Sequence, residues 1–374
     1  MVAASYNQIS IIKSALKHNY CLLQRRIGSD VRLLAMVKAD AYGHGLTDAA
    51  NAFYDAGCRD FGVAEIGEGV RLRSSGIQGN IFIFLGFVAS DVSLFFQYNL
   101  IPVIYDIESA KTLSDEAVKR STRITVHLKV DCGMTRLGIL PEKFDNFLVE
   151  LKKLSGIELG GVASHFPKAD ERESPQTAEQ FYSFKNLGSS QKYETPLIKH
   201  TANSGGILYF PETRCDMVRA GIALYGYYPD GFSGTQFEVG EKLQPAMEFK
   251  TQIIQVKTVA ADVGVSYGHT YTTQTESVLA VLPVGYEDGL SRSLSNKGEV
   301  LVHGKRARIR GRVCMNLCMV DVSHIDNIRV GDQVTILGSQ YNDTISGDEI
   351  AAWMGSISYE VLCLFGNNNE RKCV

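Results

Sequence analysis

Residues 33–45 read LLAMVKADAYGHG, and this stretch decides the architecture. Five apolar residues, Leu33 to Val37, run unbroken into Lys38. So short an apolar run, with no polar break, predicts a strand buried on both faces, as strands of parallel sheets are. After Lys38 the composition switches to Ala-Asp-Ala-Tyr-Gly-His-Gly, a tight glycine-bounded loop. Lys38 therefore stands where a core strand ends. An ammonium there is costly unless it is paired or neutralised. A desolvated lysine that gives up its proton is a nucleophile toward carbonyl carbon, whereas one that snorkels to water is not. The residues further along the chain decide between the two.

Outward from this stretch, strand-like runs alternate with amphipathic ones. Strands are expected over 31–38, 61–64, 81–85, 101–105, 123–130, 157–164, 197–201 and 217–220. Helical spacing covers 8–26, 47–56, 90–98, 107–119, 141–154 and 177–187. Eight strand–helix units over about 240 residues predict an α/β fold, an N-terminal (β/α)8 TIM barrel. A doubly wound open sheet would usually carry a GxGxxG turn after its first strand, and this chain has none. Near Gln244 the pattern changes to alternating and β-branched runs, at 247–259, 277–282, 299–303, 306–309, 318–322 and 333–337, with one helical stretch at 347–354. Two domains are expected: a barrel over 1–240 and a mostly-β C-terminal domain over 241–374, with 228–240 as linker.

Composition narrows the function. The chain has 374 residues, is 45% hydrophobic and carries a net charge of −3, which supports a large core and gives no nucleic-acid footprint. No run approaches 18 uninterrupted apolar residues, and MVAASYNQIS lacks the regions of a signal peptide, so no membrane span is expected and a cytoplasmic location is. The eight cysteines are scattered, and Cys314 and Cys318 lack a partner pair with zinc-ligand spacing. Reduced, packing thiols and no metal site are expected.

In a barrel enzyme the chemistry sits in the loops after the strand C-termini. Lys38 follows the first strand, Lys129 and Arg136 the fifth, His165 the sixth, Asn203 and Ser204 the seventh, and Arg219, Gly221 and Ile222 the eighth. Singly, His165 reads as a satisfied core histidine and Arg219 as an ion-pair member; convergence of five loops on one rim favours a site. The loops after strands seven and eight are a recurrent barrel phosphate site, and the Ser204 hydroxyl with the Gly221 and Ile222 amides suits a phosphate dianion. A reactive lysine beside a phosphate site points to pyridoxal 5′-phosphate.

VKADAYGHG at 37–45 resembles the cofactor-lysine signature of the alanine racemases, the barrel-type (fold type III) pyridoxal-phosphate enzymes. KVDCGMTRLG, SHFPKADE, HTANSGG, MVRAGIALYG, GVSYGHTY, PVGYEDG, GRVCMNLCMVDVS and SYEVLC each resemble a segment of that family, in family order, across most of residues 20–363. The resemblance implies interconversion of L- and D-alanine, a supply of D-alanine for cell-wall peptidoglycan, and a head-to-tail homodimer whose active sites take residues from both chains. It implies that Lys38 bonds the cofactor and is the base for the D-isomer, and that Tyr267 of the partner chain is the base for the L-isomer. Arg219 would face the pyridine nitrogen, supported by His165. Tyr42, Ser204, Gly221, Ile222 and Tyr359 would hold the phosphate. Arg136 and the Met315 amide would bind the substrate carboxylate. Lys129 matches a lysine that is carbamylated in many members, and Tyr286 would line the entrance with Tyr359.

The chain departs from the family pattern at Asn316, where the family usually has Asp, and at Glu287, where it usually has Ala. Asn316 makes a serine or broad-specificity racemase the alternative expectation. A barrel-type decarboxylase would resemble this chain in fold, but such enzymes place a carboxylate where Arg219 stands. A non-catalytic cofactor carrier of this type would be a barrel alone.

Overall fold

The structure is a computed structural model that describes residues 5–188, 196–231 and 241–374. Most of the expected linker, 232–240, lies outside the described residues. Two compact units emerge: Leu16–Ala41 with Leu46–Gln244, and Met1–Ala15, Tyr42–Gly45 and Pro245–Val374.

The first unit is an eight-stranded parallel barrel. Its strands are β1 (Arg32–Met36), β2 (Asp60–Val63), β3 (Asn80–Ile83), β4 (Ile101–Ile104), β5 (Ile124–Lys129), β6 (Ile157–Ala163), β7 (Ile198–His200) and β8 (Met217–Ala220). Each pairs with the next through β7, and β8 pairs with β1 from Arg32↔Met217 to Ala35↔Ala220. Backbone bonds from Asp216 N to Lys199 O (3.1 Å) and from Arg219 N to Ala202 O (2.8 Å) join the β7 and β8 ends, so the ring nearly closes. Each strand's ends fall within two residues of the expected ones: β2 and β3 begin one residue early, β8 matches, and most of the others stop short at the rim, where the chain turns as soon as the ladder ends. β2 and β8 are buried along their whole length, as a strand covered on both faces requires. Gly161 in β6 lets the ring of His127 occupy the barrel interior, since a Cβ there would come within 2.4 Å of His127 Cε1.

The helices are α1 (Lys13–Ile27) before the barrel, then α2 (Leu46–Asp55), α3 (Ile66–Ser74), α4 (Val92–Gln97), α5 (Ile107–Lys119), α6 (Phe144–Leu151), α7 (Pro175–Lys185) and α8 (Ser204–Tyr209). Asp106 caps α5 by accepting from Ser109 N at 2.7 Å. No helix among the described residues is long and apolar enough to cross a membrane.

One expected helix is split. Residues 8–26 do not form a single helix: Gln8–Ile11 is a strand and α1 starts at Lys13. Ile9 and Ile11 are buried while Gln8 is exposed, a period of two that the following apolar residues mask. This strand belongs to the second unit, where it pairs antiparallel with Met247–Gln252 and parallel with Arg371–Cys373. The rest of that sheet is antiparallel, running from Gln255–Val259 through Ser277–Leu282, Cys318–Asp321, Lys305–Ile309, Glu299–Val302 and Gln333–Gln340 to Met247–Gln252. The expected 247–259 strand is two strands, because the chain leaves one partner at Gln252 and takes another at Gln255. Gly347–Met354 is a helix, as its spacing indicates, and a second helix, Ser358–Asn367, follows it.

Asn19 on α1 ties the loop after β8 to the end of the barrel unit. It is fully buried, donates to Leu224 O (3.1 Å) and Gln244 O (2.8 Å), and accepts from Gln244 N (2.8 Å). Asn19→Leu keeps the volume but strands one amide and two carbonyls. It is expected to lower unfolding stability by roughly 2–4 kcal/mol, read as a fall in the urea midpoint at unchanged slope.

Candidate active site

The strand-end lysine leads directly into an unusual turn. Ala39, Asp40, Ala41 and Tyr42 all have left-handed backbones, with φ of 55°, 53°, 56° and 54°. Ala41 N still donates to Val37 O at 2.9 Å, so the tight glycine-bounded loop that the sequence suggests opens as one turn of left-handed helix. Each such non-glycine residue costs about 1–2 kcal/mol, so the four together store roughly 4–8 kcal/mol. Side chains of the neighbouring βα unit hold it. Glu68 Oε1 accepts from Ala39 N (2.7 Å), while its Oε2 accepts from Ala64 N (2.8 Å) and Glu65 N (3.2 Å), closing a capping box on α3. Asp40 Oδ1 accepts from Leu46 N (2.9 Å) and pairs with Arg71 (3.2 Å).

Around Lys38 the barrel rim collects positive charge. Lys129 is buried at the end of β5, and burial first, then Arg219, Arg136 and Lys38, pull its ammonium pKa down to about 7. The same three cations and Lys129, behind burial, push His165 well below the ordinary histidine value, so it is neutral. Arg219 and Lys129 both lie 5.9 Å from the centroid of the Phe84 ring. The structure therefore brings together Lys38, Lys129, Arg136, His165 and Arg219, all of which the sequence places on this rim.

Arg219, at the middle of β8, is buried and its pKa is lowered by burial to about 10, still a cation at neutral pH. Nη1 donates to His200 O (2.8 Å) and His200 Nδ1 (3.1 Å). Nη2 donates to Ser164 O (2.6 Å), His165 Nδ1 (3.1 Å) and Thr201 O (3.2 Å). The four Nη hydrogens are thus all engaged, and Nε–H is the guanidinium donor without a partner among the described residues. His200 Nε2 in turn lies 2.8 Å from His127 Nδ1. Ser204 opens α8, and its Oγ accepts from Gly221 N (2.9 Å) and Ala223 N (3.3 Å). The Gly221 amide is therefore turned to the serine, whose own hydroxyl hydrogen is left for an anion. Ile222 is fully buried beside them. Gly205 lets α8 seat against the loop after β6, because a Cβ there would meet Ala169 O at 2.1 Å.

Arg136 is presented by a closed loop. Asp131 N donates to Ile139 O (2.8 Å) and Ile139 N to Lys129 O (3.0 Å), pinning its base. Inside it, the Asp131 carboxylate accepts four backbone amides: Gly133 (3.0 Å), Met134 (2.8 Å) and Thr135 (3.0 Å) on Oδ1, and Arg136 (2.8 Å) on Oδ2. Burial alone would raise this carboxyl, but the four amides outweigh it and hold it below the usual carboxylate range.

The remaining expected site residues lie in the second unit, in two groups. Tyr42 is buried, its ring 6.0 Å from that of Tyr359, and burial followed by Cys363 raises its phenol pKa, so it stays a neutral donor. Tyr267, Tyr286, Met315 and Asn316 share an exposed surface built from three loops. Tyr286 N donates to Cys314 O (3.0 Å) and Glu287 N to Met315 O (3.1 Å). Ser266 Oγ, beside Tyr267, donates to Arg312 O at 2.7 Å. Gly285 fits this junction because a Cβ would strike Met315 O at 2.2 Å. Tyr267 is 73% exposed and Met315 55%. Asn316 Nδ2 donates to Glu287 Oε2.

Sequence reasoning missed Asp131, Glu68, Asp40 and the His127–His200 pair. Asp131 carried a signal, an Asp two residues before a glycine, which favours side-chain-to-backbone turns. Glu68 carried one also, as the third residue of α3.

A (β/α)8 barrel with a lysine at the end of β1, a serine after β7 that accepts from the Gly221 and Ala223 amides, and a buried arginine on β8 has the layout of a barrel enzyme of the cofactor-lysine class. The chain matches the family descriptions "Alanine racemase, N-terminal domain" over residues 11–229 and "Alanine racemase, C-terminal domain" over 246–373. It is 41% identical over 352 residues to an alanine racemase of Halothermothrix orenii, covering 94% of this chain and 92% of that one. The alanine racemase of D-cycloserine-producing Streptomyces lavendulae superposes with a TM-score of 0.93 at 32% identity, covering 100% of this chain and 98% of that one. The alanine racemase of Bartonella henselae, solved with covalently bound pyridoxal phosphate, gives 0.90 at 26% identity, covering 99% and 100%. The chain belongs to the alanine racemase family.

Asp131→Asn puts an amide NH2 against backbone N–H groups and lowers the acceptor charge. Hydrogen exchange at residues 133–136 is expected to speed up by about tenfold or more, with the barrel strands unchanged. Unaltered protection there would show that the loop is held by its base alone.

Proposed function

We propose that this protein is an alanine racemase that interconverts L- and D-alanine with pyridoxal 5′-phosphate, acts in the cytoplasm as a homodimer, and supplies D-alanine for cell-wall peptidoglycan. The observation that carries this reading is Arg219. With its four Nη hydrogens engaged, it has Nε–H left to offer a ring nitrogen, and as a fixed cation it disfavours protonating that nitrogen. Residues on the rim fit the cofactor: Lys38 for its carbonyl carbon, and the Ser204 hydroxyl and the Ile222 amide for its phosphate; the family resemblance adds Tyr42 and Tyr359, of the second unit, as further phosphate donors. Bound, the cofactor supplies the electron sink that makes an amino acid's α-proton acidic.

The chain's own groups then handle that proton. Arg136 and the Met315 amide bind the substrate carboxylate and orient the Cα–H bond. Lys38 removes the α-proton of the D-isomer from one face, and the Tyr267 hydroxyl returns a proton from the other. For the L-isomer the roles exchange, so the reaction is balanced with no proton gained or lost. Neutral His165 accepts from Arg219 and keeps the guanidinium aligned. Lys129, with a pKa near 7, has a neutral amine available to take up CO2, and the resulting carbamate would orient Arg136 as an anion.

A second protomer completes the reading. Tyr267, Tyr286, Met315, Leu317 and Ile357 of the second unit are all exposed apolar or aromatic side chains. Such a surface suits burial by another copy of the chain, and a head-to-tail two-fold dimer would set Tyr267 of one protomer opposite Lys38 of its partner. Lys38→Ala and Tyr267→Phe should each be nearly inactive in a coupled D-alanine assay. Co-expressed, about half the dimers are heterodimers with one intact site each, so activity should recover to about a quarter of wild type. No recovery with heterodimers demonstrably present would mean that both bases come from one chain or that Tyr267 is not a base.

The Asn316–Glu287 hydrogen bond favours the serine-tolerant alternative as a second reading. The two positions that depart from the family pattern touch, and a neutral amide steers the carboxylate. Asn316→Asp would set two carboxylates in contact and is expected to raise the alanine-to-serine ratio of kcat/KM severalfold. Equal changes for both substrates would assign the pair to rate and not to selectivity.

A further inference from the structure

The left-handed turn that follows Lys38 has a strained backbone, and such strain persists only where the surroundings fix it. One helix of the next βα unit supplies two of the contacts that fix it. Glu68 and Arg71 lie one turn apart on α3 and so share a face. Glu68 Oε1 takes the amide of Ala39, the residue immediately after the lysine, at 2.7 Å. Arg71 takes the carboxylate of Asp40, the next residue, at 3.2 Å. The other Glu68 oxygen is committed to Ala64 N and Glu65 N at the start of the same helix. The carboxylate thus bridges the end of β2 to the end of β1.

We infer that Glu68, with Arg71 behind it, is a positioning residue for Lys38: it fixes the peptide after the lysine and so aims the side-chain amine. This inference rests on the reading of Lys38 as the cofactor lysine. Only a carboxylate can accept on both sides. In Glu68→Gln the side-chain oxygen can serve the two amides at the helix start, which turns the NH2 group against Ala39 N–H. The turn is then free to relax toward an ordinary backbone, carrying Lys38 with it, although size and shape at position 68 are unchanged. Glu68 needs no contact with substrate or cofactor for this.

The test uses the holoenzyme. Borohydride reduction and peptide mapping first locate the cofactor. Hydroxylamine then measures how fast the Lys38 linkage is broken, and melting temperature and visible circular dichroism are recorded alongside. In Glu68→Gln the linkage is expected to be lost about tenfold faster, the dichroic band of the bound cofactor to change, and kcat to fall about tenfold, while KM for alanine moves less than about twofold. The melting temperature of the cofactor-free protein should stay close to wild type. Arg71→Ala, at an exposed position, is expected to show the same pattern at about threefold, and it carries the test should Glu68→Gln not fold. Cofactor fixed on Lys38 with wild-type hydroxylamine rates and dichroism in both variants overturns this inference alone. Cofactor fixed at another residue overturns it together with the assignment of Lys38.

Discussion

Crowding of positive charge at one end of the barrel is the constraint to which the rest of the site answers. Lys38, Lys129, Arg136 and Arg219 all act on one neutral histidine, His165. Each group responds as its chemistry allows. Lys129 can release its proton and is poised near pH 7 to do so. His165 and His200 stay uncharged, through burial first and the arginine next. Arg219 keeps its charge because carbonyl oxygens of Ser164, His200 and Thr201 surround it. A rim arranged in this way holds a strong positive potential where a phosphate and a carboxylate would both sit.

Two carboxylates at this end of the barrel are used on the backbone. Asp131 accepts four amides within the loop that presents Arg136. Glu68 accepts three, one of them from the peptide after Lys38. An acid held ionised by amides shapes a loop and keeps its charge, so Asp131 also acts on the rim, raising the pKa of Lys129 against burial, Arg219, Arg136 and Lys38, which together lower it. The barrel thereby gains two fixed loops, and three cations still act on Lys129 against this one carboxylate.

Much of this was readable in the chain. The apolar runs located all eight barrel strands to within a residue or two, because strands buried on both faces leave little else in the sequence. The rim lysines, Arg136, His165 and Arg219 were likewise legible as polar residues at strand ends. The strand Gln8–Ile11 was not, since four residues of period two merge into the helical pattern that follows. Nor was the left-handed turn after Lys38: alanine has no propensity for it, and the groups that impose it come from a helix about thirty residues on. The two new partners of that kind, Glu68 and Asp131, act on backbone amides, and a sequence names side chains only.

Arg219 also has a reach that its contacts with the rim do not suggest. A guanidinium only donates, so His200 Nδ1 must accept and its proton must lie on Nε2. That proton points at His127 Nδ1, 2.8 Å away, which must then be bare, leaving the His127 proton on Nε2. His127 borders a cavity of about 540 Å³ lined by Arg32, Asn80, Ile101, Ile124 and Ile198, each the first residue of a barrel strand. One arginine on β8 therefore writes the tautomers of two rings in succession, through the barrel core to its opposite mouth. Arg219, His200 and His127 form a one-way row of donors, and its direction is set from the arginine.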